Sequence, residues 1–224
     1  MKERGMIFNG EMVRALLDGR KTQTRRIVKG TDSAVKFCKE WNINGEEFFV
    51  VLGEKDHTGM NPVLGAISCP FGAVGNRIWV REAFRVHSRA TDVATLVYKA
   101  SERNSWTEQT HRVPVAVCNK PATLEKWTPS LHMPRWASRI LLEITDVRVE
   151  RLNAISEEDA RAEGIIDGGC LNCGEPEPCG CANPEPDATD AFAYLWQSIY
   201  GQENWNADPW VWVIEFKRVE GGAA

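Results

Sequence analysis

The segment that most restricts the fold is Pro209-Trp210-Val211-Trp212-Val213-Ile214-Glu215-Phe216-Lys217-Arg218-Val219. Side chains alternate across a strand, so one with large apolar residues at both parities leaves a broad hydrophobic surface unless both faces are covered. This segment therefore calls for a central place in a sheet. A second long strand is expected over Ile140 to Leu152, where Ile140, Leu142 and Ile144 alternate and Val147 and Val149 continue in the opposite phase. The shift at Thr145-Asp146 predicts a bulge or bend.

Helical signals are few and short. Met12, Val13, Leu16 and Leu17 share one helical face between Asn9, a good N-cap, and Gly19, a good C-terminal stop. A strand over Thr22 to Val28 follows at once, so a rigid helix-turn-strand joint carries Gly19-Arg20-Lys21-Thr22-Gln23-Thr24-Arg25-Arg26, with four cations and two hydroxyls in eight residues. Ser156 caps a second helix whose first turn holds Glu157, Glu158 and Asp159 and which Gly164 ends. Glu163 falls at its last position, where the helix dipole disfavours a carboxylate. A cationic partner, a role in a site, or simple solvation would each account for it. A third helix, Asp187 to Tyr200, presents Phe192, Leu195, Trp196 and Ile199 together and stops at Gly201.

Between these elements, residues 30–75 and 85–130 read as insertions. The first holds a hairpin around Asn42-Ile43-Asn44-Gly45 leading to Phe48–Val51, and the second has strand candidates at 94–100 and 112–117. Gly75-Asn76 turns into a strand with Ile78, Val80 and Phe84 on one face and Arg77, Trp79 and Arg81 on the other. Trp79 between two arginines suits stacking on a base, or else shields a sheet edge. Trp127 to Arg139 is stiffened by Pro129 and Pro134. The whole describes an α+β chain built as one domain over residues 1–224, with the two insertions and a Cys-rich loop at 167–186.

At 224 residues with 43% hydrophobic residues, the chain can bury a full core. It shows neither an apolar run of about 18 residues nor the apolar segment of a signal peptide near Met1 to Gly5, which predicts a cytoplasmic protein without a membrane partner. The net charge of −4 hides an asymmetry. Residues 1–30 carry eight Lys/Arg against three Asp/Glu, and residues 155–210 carry one Arg against twelve Asp/Glu. Wholesale binding along a nucleic-acid backbone is disfavoured, because counterion release needs a broad basic face. A nucleoside-like or phosphorylated ligand, or a short piece of RNA, is compatible; so is internal pairing of the basic stretch with the acidic half.

Seven cysteines cannot all pair internally. Cys170, Cys173, Cys179 and Cys181 lie within twelve residues. That spacing fits either a structural zinc site or free or redox-active thiols, and no catalytic metal is expected. The chain lacks a phosphate-binding Gly-rich loop, a Gly-x-Ser-x-Gly elbow, a His-Glu-x-x-His helix and the zinc-deaminase signature, and its four histidines, at 57, 87, 111 and 132, form no recognisable pairing. Proton transfer in any reaction would fall to Lys or Glu. Lys21 could accept the Thr24 proton if the neighbouring Arg20, Arg25 and Arg26 hold it neutral. For the two to meet, Lys21 must belong to the turn, because i and i+3 face opposite sides of a strand.

Gly19-Arg20-Lys21-Thr22-x-Thr24-x-Arg26, Gly75-Asn76-Arg77-Ile78-Trp79-Val80, Ile155-Ser156-Glu157-Glu158-Asp159-Ala160-x-Ala162-Glu163-Gly164 and Trp212-Val213-Ile214-Glu215-Phe216, in that order, resemble the ASCH domain family. The chain looks most like longer ASCH proteins of phages and prophages, in which Gly-Arg-Lys-Thr-Gln-Thr-Arg-Arg and the His132 to Arg139 segment recur. The blocks span about half the chain. The resemblance implies a PUA-like mixed β-barrel. It also implies an amidohydrolase removing the acyl group from N4-acetylcytidine or related nucleosides, free or in RNA, with Thr24 as nucleophile, Lys21 as base, Glu163 assisting, and Arg26, Trp79 and Arg135 contacting substrate. Other members of the family bind or cleave RNA, and a phage accessory protein could instead bind a host partner.

Overall fold

A computed structural model describes residues 1–31, 33–123, 125–166 and 188–219. Along the chain the elements are β1 (Glu3–Ile7), α1 (Gly10–Leu17), β2 (Gln23–Ile27), β3 (Lys36–Trp41), β4 (Glu47–Leu52), β5 (Val63–Ile67), β6 (Arg77–Arg81), β7 (Phe84–Arg89) and β8 (Val93–Tyr98). There follow α2 (Trp106–Gln109), β9 (Thr110–Pro114), β10 (Leu141–Arg151), α3 (Glu157–Ala162), α4 (Ala188–Tyr200), α5 (Gln202–Asn206) and β11 (Trp210–Arg218). The class is α+β, dominated by strands. No described helix is long and apolar enough to cross a membrane. The chain divides into two compact units, residues 1–19, 75–143 and 217–224 in the first and residues 20–74 and 144–216 in the second.

In the first unit β1 runs parallel to β6, with Gly5 opposite Trp79, and β6 pairs antiparallel with the first residues of β10, Ile78 opposite Leu142. Ile78 and Val80 are buried, as their parity predicts. The insertion at 85–130 is an ordered antiparallel sheet, β7-β8-β9. Its inward residues Phe84, Val86, Leu96, Tyr98 and Val113 form a core closed by Met133 and Ala137 of the Pro-stiffened segment. Helix α1 begins as expected: Asn9 Oδ1 accepts from Met12 N at 2.8 Å, and Gly19 takes φ 77° just after the last turn.

In the second unit the order is β10-β11-β2, which makes β11 the central strand. Val211 through Ile214 are all buried, so both faces are covered. Burying each Val or Ile side chain contributes about 1.5–3 kcal/mol, which explains why apolar residues occupy both parities. On one face Val211 and Val213 join Leu152, Ile155 and Ala160 with Phe192 and Trp196 of α4. On the other, Trp212 meets the ring of Phe49 at 5.1 Å. Phe49 belongs to β3-β4-β5, the antiparallel sheet into which the insertion at 30–75 folds. The Asn42 hairpin joins its first two strands, whereas β5, carrying Gly65 and mostly exposed, shows no alternation from which it could be read. In β10 the buried positions pass from Leu142 and Ile144 to Val147, so the phase shifts at Thr145-Asp146.

The closed PUA-like barrel is not formed by the described strands. β1 pairs with β6 alone and β2 with β11 alone, so each ends its ladder as an open edge and no ladder in either unit returns on itself.

Close approach at the β1 edge gives a direct test. A Cβ at Gly5 would lie 2.5 Å from Cζ2 of Trp79 and 2.9 Å from Cδ of Arg81. Gly5→Ala should therefore lower stability by about 1–3 kcal/mol in urea unfolding. An unchanged midpoint would contradict this contact.

Candidate active site

Lys21 and Thr22 precede β2 and are held on two sides: Thr22 N donates to Ala162 O at 2.8 Å, and Phe216 N donates to Thr22 O at 2.8 Å. The segment is thus fixed between the end of α3 and the central strand. Helix α3 starts at Ser156, whose Oγ accepts from Asp159 N at 3.1 Å, and ends where Gly164 takes φ 89°. Glu163 is its C-cap residue and is buried.

Lys21 Nζ donates to Glu163 Oε2 at 2.7 Å and to Glu163 O at 2.8 Å. One ammonium thereby satisfies both the carboxylate and a terminal carbonyl of the helix, which explains the acidic residue at an unfavourable helix end. Arg25, with no exposed side-chain surface, approaches Glu163 Oε1 at 3.3 Å and Asp159 Oδ2 at 2.9 Å. Asp159 and Glu163, four residues apart on one helical face, are thus bridged by a single guanidinium. Gln23 Nε2 donates to Asp159 O and Oδ1 at 2.8 and 3.1 Å. Arg148 extends the network to Asp159 at 3.1 Å, Glu150 at 2.6 Å and Glu215. Lys21 and Arg25 are therefore paired with carboxylates of β10 and α3, so part of the basic stretch is matched internally by acidic residues.

Burial pushes the Lys21 amine below the ordinary lysine range, and the adjacent Glu163 carboxylate works against it. Partial burial of Asp159 tends to raise its pKa, but Arg25, Gln23 and Arg148 outweigh it and hold the carboxyl below its usual value.

Thr24 is 0% exposed and Lys21 and Glu163 are 3% exposed each, and Thr24 Oγ1 has no hydrogen-bond partner among the described residues. The alternation of β2 places Gln23 and Arg25 toward α3 and Thr24 and Arg26 on the opposite face. Lys21 lies ahead of the strand, where that alternation does not fix its direction. Lys21 and Glu163 are joined directly; Thr24 forms no hydrogen bond with either. A buried hydroxyl left unpaired costs about 1–3 kcal/mol, so this oxygen is held at the expense of stability.

Three other residues were expected to contact substrate. Arg26 Nη1 donates to Arg25 O at 3.0 Å. Trp79 and Arg135 belong to the first unit, where the Trp79 ring covers Gly5 with the Arg81 guanidinium 5.3 Å from its centroid, and Arg135 Nε meets Glu3 Oε2 at 2.8 Å. The observed packing of Trp79 is that of a ring shielding a strand. Cys170, Cys173, Cys179 and Cys181 lie outside the described residues. The organising roles of Arg25, Arg148 and Asp159 went unseen in sequence; the i, i+4 spacing of Asp159 and Glu163 was the available signal.

The depressed Asp159 pKa fixes a sign. Its stabilising contribution is complete above the unfolded carboxylate value and is lost as the pH falls toward the lower folded value. Urea midpoints below about pH 5 should therefore fall less steeply for Asp159→Asn than for the parent. Parallel pH profiles would contradict this assignment. Comparison with protein families, curated proteins and solved structures finds no match.

Proposed function

We propose that this chain is an ASCH-type amidohydrolase that removes the acyl group from N4-acetylcytidine or a related N4-acylated cytosine nucleoside, free or within RNA. One observation carries the reading: a buried lysine paired with Glu163 at 2.7 Å stands three residues ahead of a buried threonine hydroxyl without a hydrogen-bond partner among the described residues. Thr24 Oγ attacks the amide carbonyl carbon while its proton passes to Lys21 Nζ. The tetrahedral intermediate collapses with cleavage of the C–N bond, and Lys21 returns the proton to the departing N4 amine. Water then hydrolyses the acyl ester, releasing the carboxylate and restoring Thr24. Glu163 orients Lys21, and burial supplies the lowered proton affinity that a lysine base needs. Arg26, two residues after Thr24 and on the same face of β2, contacts the substrate. Turnover requires the layer over Thr24 to open.

A second reading, RNA binding without hydrolysis, draws on that same closure, since Lys21 is already engaged and Thr24 is covered. Purified protein incubated with N4-acetylcytidine should yield cytidine and acetate, and Lys21→Ala and Thr24→Ala should each reduce the rate by about 100-fold or more. Full turnover by either variant would overturn the mechanism. Salt-sensitive RNA retention without product would favour the binding reading. A structural zinc on Cys170, Cys173, Cys179 and Cys181 is proposed from their spacing, and elemental analysis should find it in stoichiometric amount; its absence from protein purified without chelator would reject it.

A further inference from the structure

The first unit contains a separate cavity of about 860 Å³, lined in part by α1 and by the turn after β8. Its floor is rigid. Glu82 is buried and held by Arg139 through both carboxylate oxygens, at 2.9 and 3.0 Å. Arg139 also donates to Ser101 Oγ at 2.8 Å and lies 4.0 Å from the centroid of the Tyr98 ring, whose hydroxyl donates to Ala137 O at 2.8 Å. Ser138 Oγ donates to Val80 O at 2.8 Å, and Met133 Sδ accepts from Glu82 N. The His132 to Arg139 segment thus fixes the corner that carries Glu82.

The walls have a different character. Arg14, Lys99 and Arg103 line the cavity, and none has an ion-pair partner among the described residues. Arg14 is anchored by Nη1 donating to Ala100 O at 3.3 Å. With Glu82 neutralised by Arg139, the remaining carboxylates are Glu11 and Glu102, which leaves three cations against two anions. Those two carboxylates offset most of the attraction for a bare anion. A ligand with phosphate at one end and hydroxyl or amine donors at the other uses both sets: cations for the phosphate, carboxylates for ribose hydroxyls. The volume lies within the range of small-molecule sites.

We infer that this cavity binds a ribonucleoside 5′-phosphate, with Arg14, Lys99 and Arg103 holding the phosphate and Glu11 or Glu102 accepting from the ribose. The inference does not depend on hydrolysis at Thr24. Titration of the full chain with each of the four 5′-mononucleotides, followed calorimetrically, should show saturable binding that weakens as salt is raised. Inorganic phosphate and the unphosphorylated nucleosides should each bind at least about tenfold more weakly. Lys99→Glu with Arg103→Glu should weaken nucleotide binding by about tenfold or more, while the same charge reversal at the exposed Lys55, Lys55→Glu, which lines no part of the cavity, leaves it unchanged. A 5′-phosphorylated RNA tetramer that binds more tightly than its 5′-hydroxyl form would identify an RNA end as the natural source; preference for mononucleotide would identify a free one. Photolabelling of the parent chain by 8-azidoadenosine 5′-monophosphate should mark the peptide containing residues 99–104, which tests the location without any variant. Absence of saturable binding at millimolar nucleotide, equal binding by inorganic phosphate, an equal loss of binding in Lys55→Glu, or labelling confined to other peptides would overturn the proposal.

Discussion

The second unit depends on charges buried at the seam between β2 and α3. Lys21 and Arg25 converge on Glu163, and Arg25 carries the contact on to Asp159. Taking such groups out of water costs several kcal/mol per ion, which is offset only when every charge is closely matched. Matching is nearly complete here, because Gln23, Arg148 and the carbonyl of Glu163 supply further hydrogen bonds. A network of this kind tolerates little displacement, since removing one partner strands the opposite charge. The helix end and the segment before β2 are thereby fixed to each other.

The first unit uses the same device differently. Its Arg139–Glu82 pair, reinforced by Ser101 and by the Tyr98 ring, adjoins a cavity that Glu82 helps to line. Burial raises the Glu82 pKa and Arg139 opposes it, so the arginine is what favours the ionised form. The two networks differ in what they leave unused. In the second unit the Thr24 oxygen and Arg25 Nε are buried without a hydrogen-bond partner among the described residues; in the first a set of exposed cations lacks ion-pair partners. The Thr24 oxygen is the basis of the proposed hydrolysis and the cations are that of the proposed nucleotide site.

Much of the local structure was legible because it follows from short-range chemistry. Asn9 and Ser156 cap the helices they were expected to cap, Gly19 and Gly164 adopt the left-handed conformations expected of them, and β11 is buried on both faces. The insertions were harder to read. β5 carries a glycine and lies largely in water, so it lacks the alternation that a half-buried strand displays. Closure of the sheet was also beyond reach, because whether an edge strand finds a second neighbour depends on hydrogen bonds between distant segments.

By itself, the sequence determined the α+β class, the central place of the final strand, the helix caps and the candidacy of Lys21, Thr24 and Glu163, since each rests on periodicity, a cap or the order of recognisable blocks. Only the tertiary structure decided that Lys21 bonds Glu163, that Arg25 bridges Glu163 to Asp159, that Thr24 faces away from Gln23 and Arg25 with its oxygen unpaired, and that Trp79 covers Gly5. The reason is physical: caps and alternation arise between residues close in the chain, whereas the pairing of a buried charge depends on which distant side chain reaches it once water has been excluded.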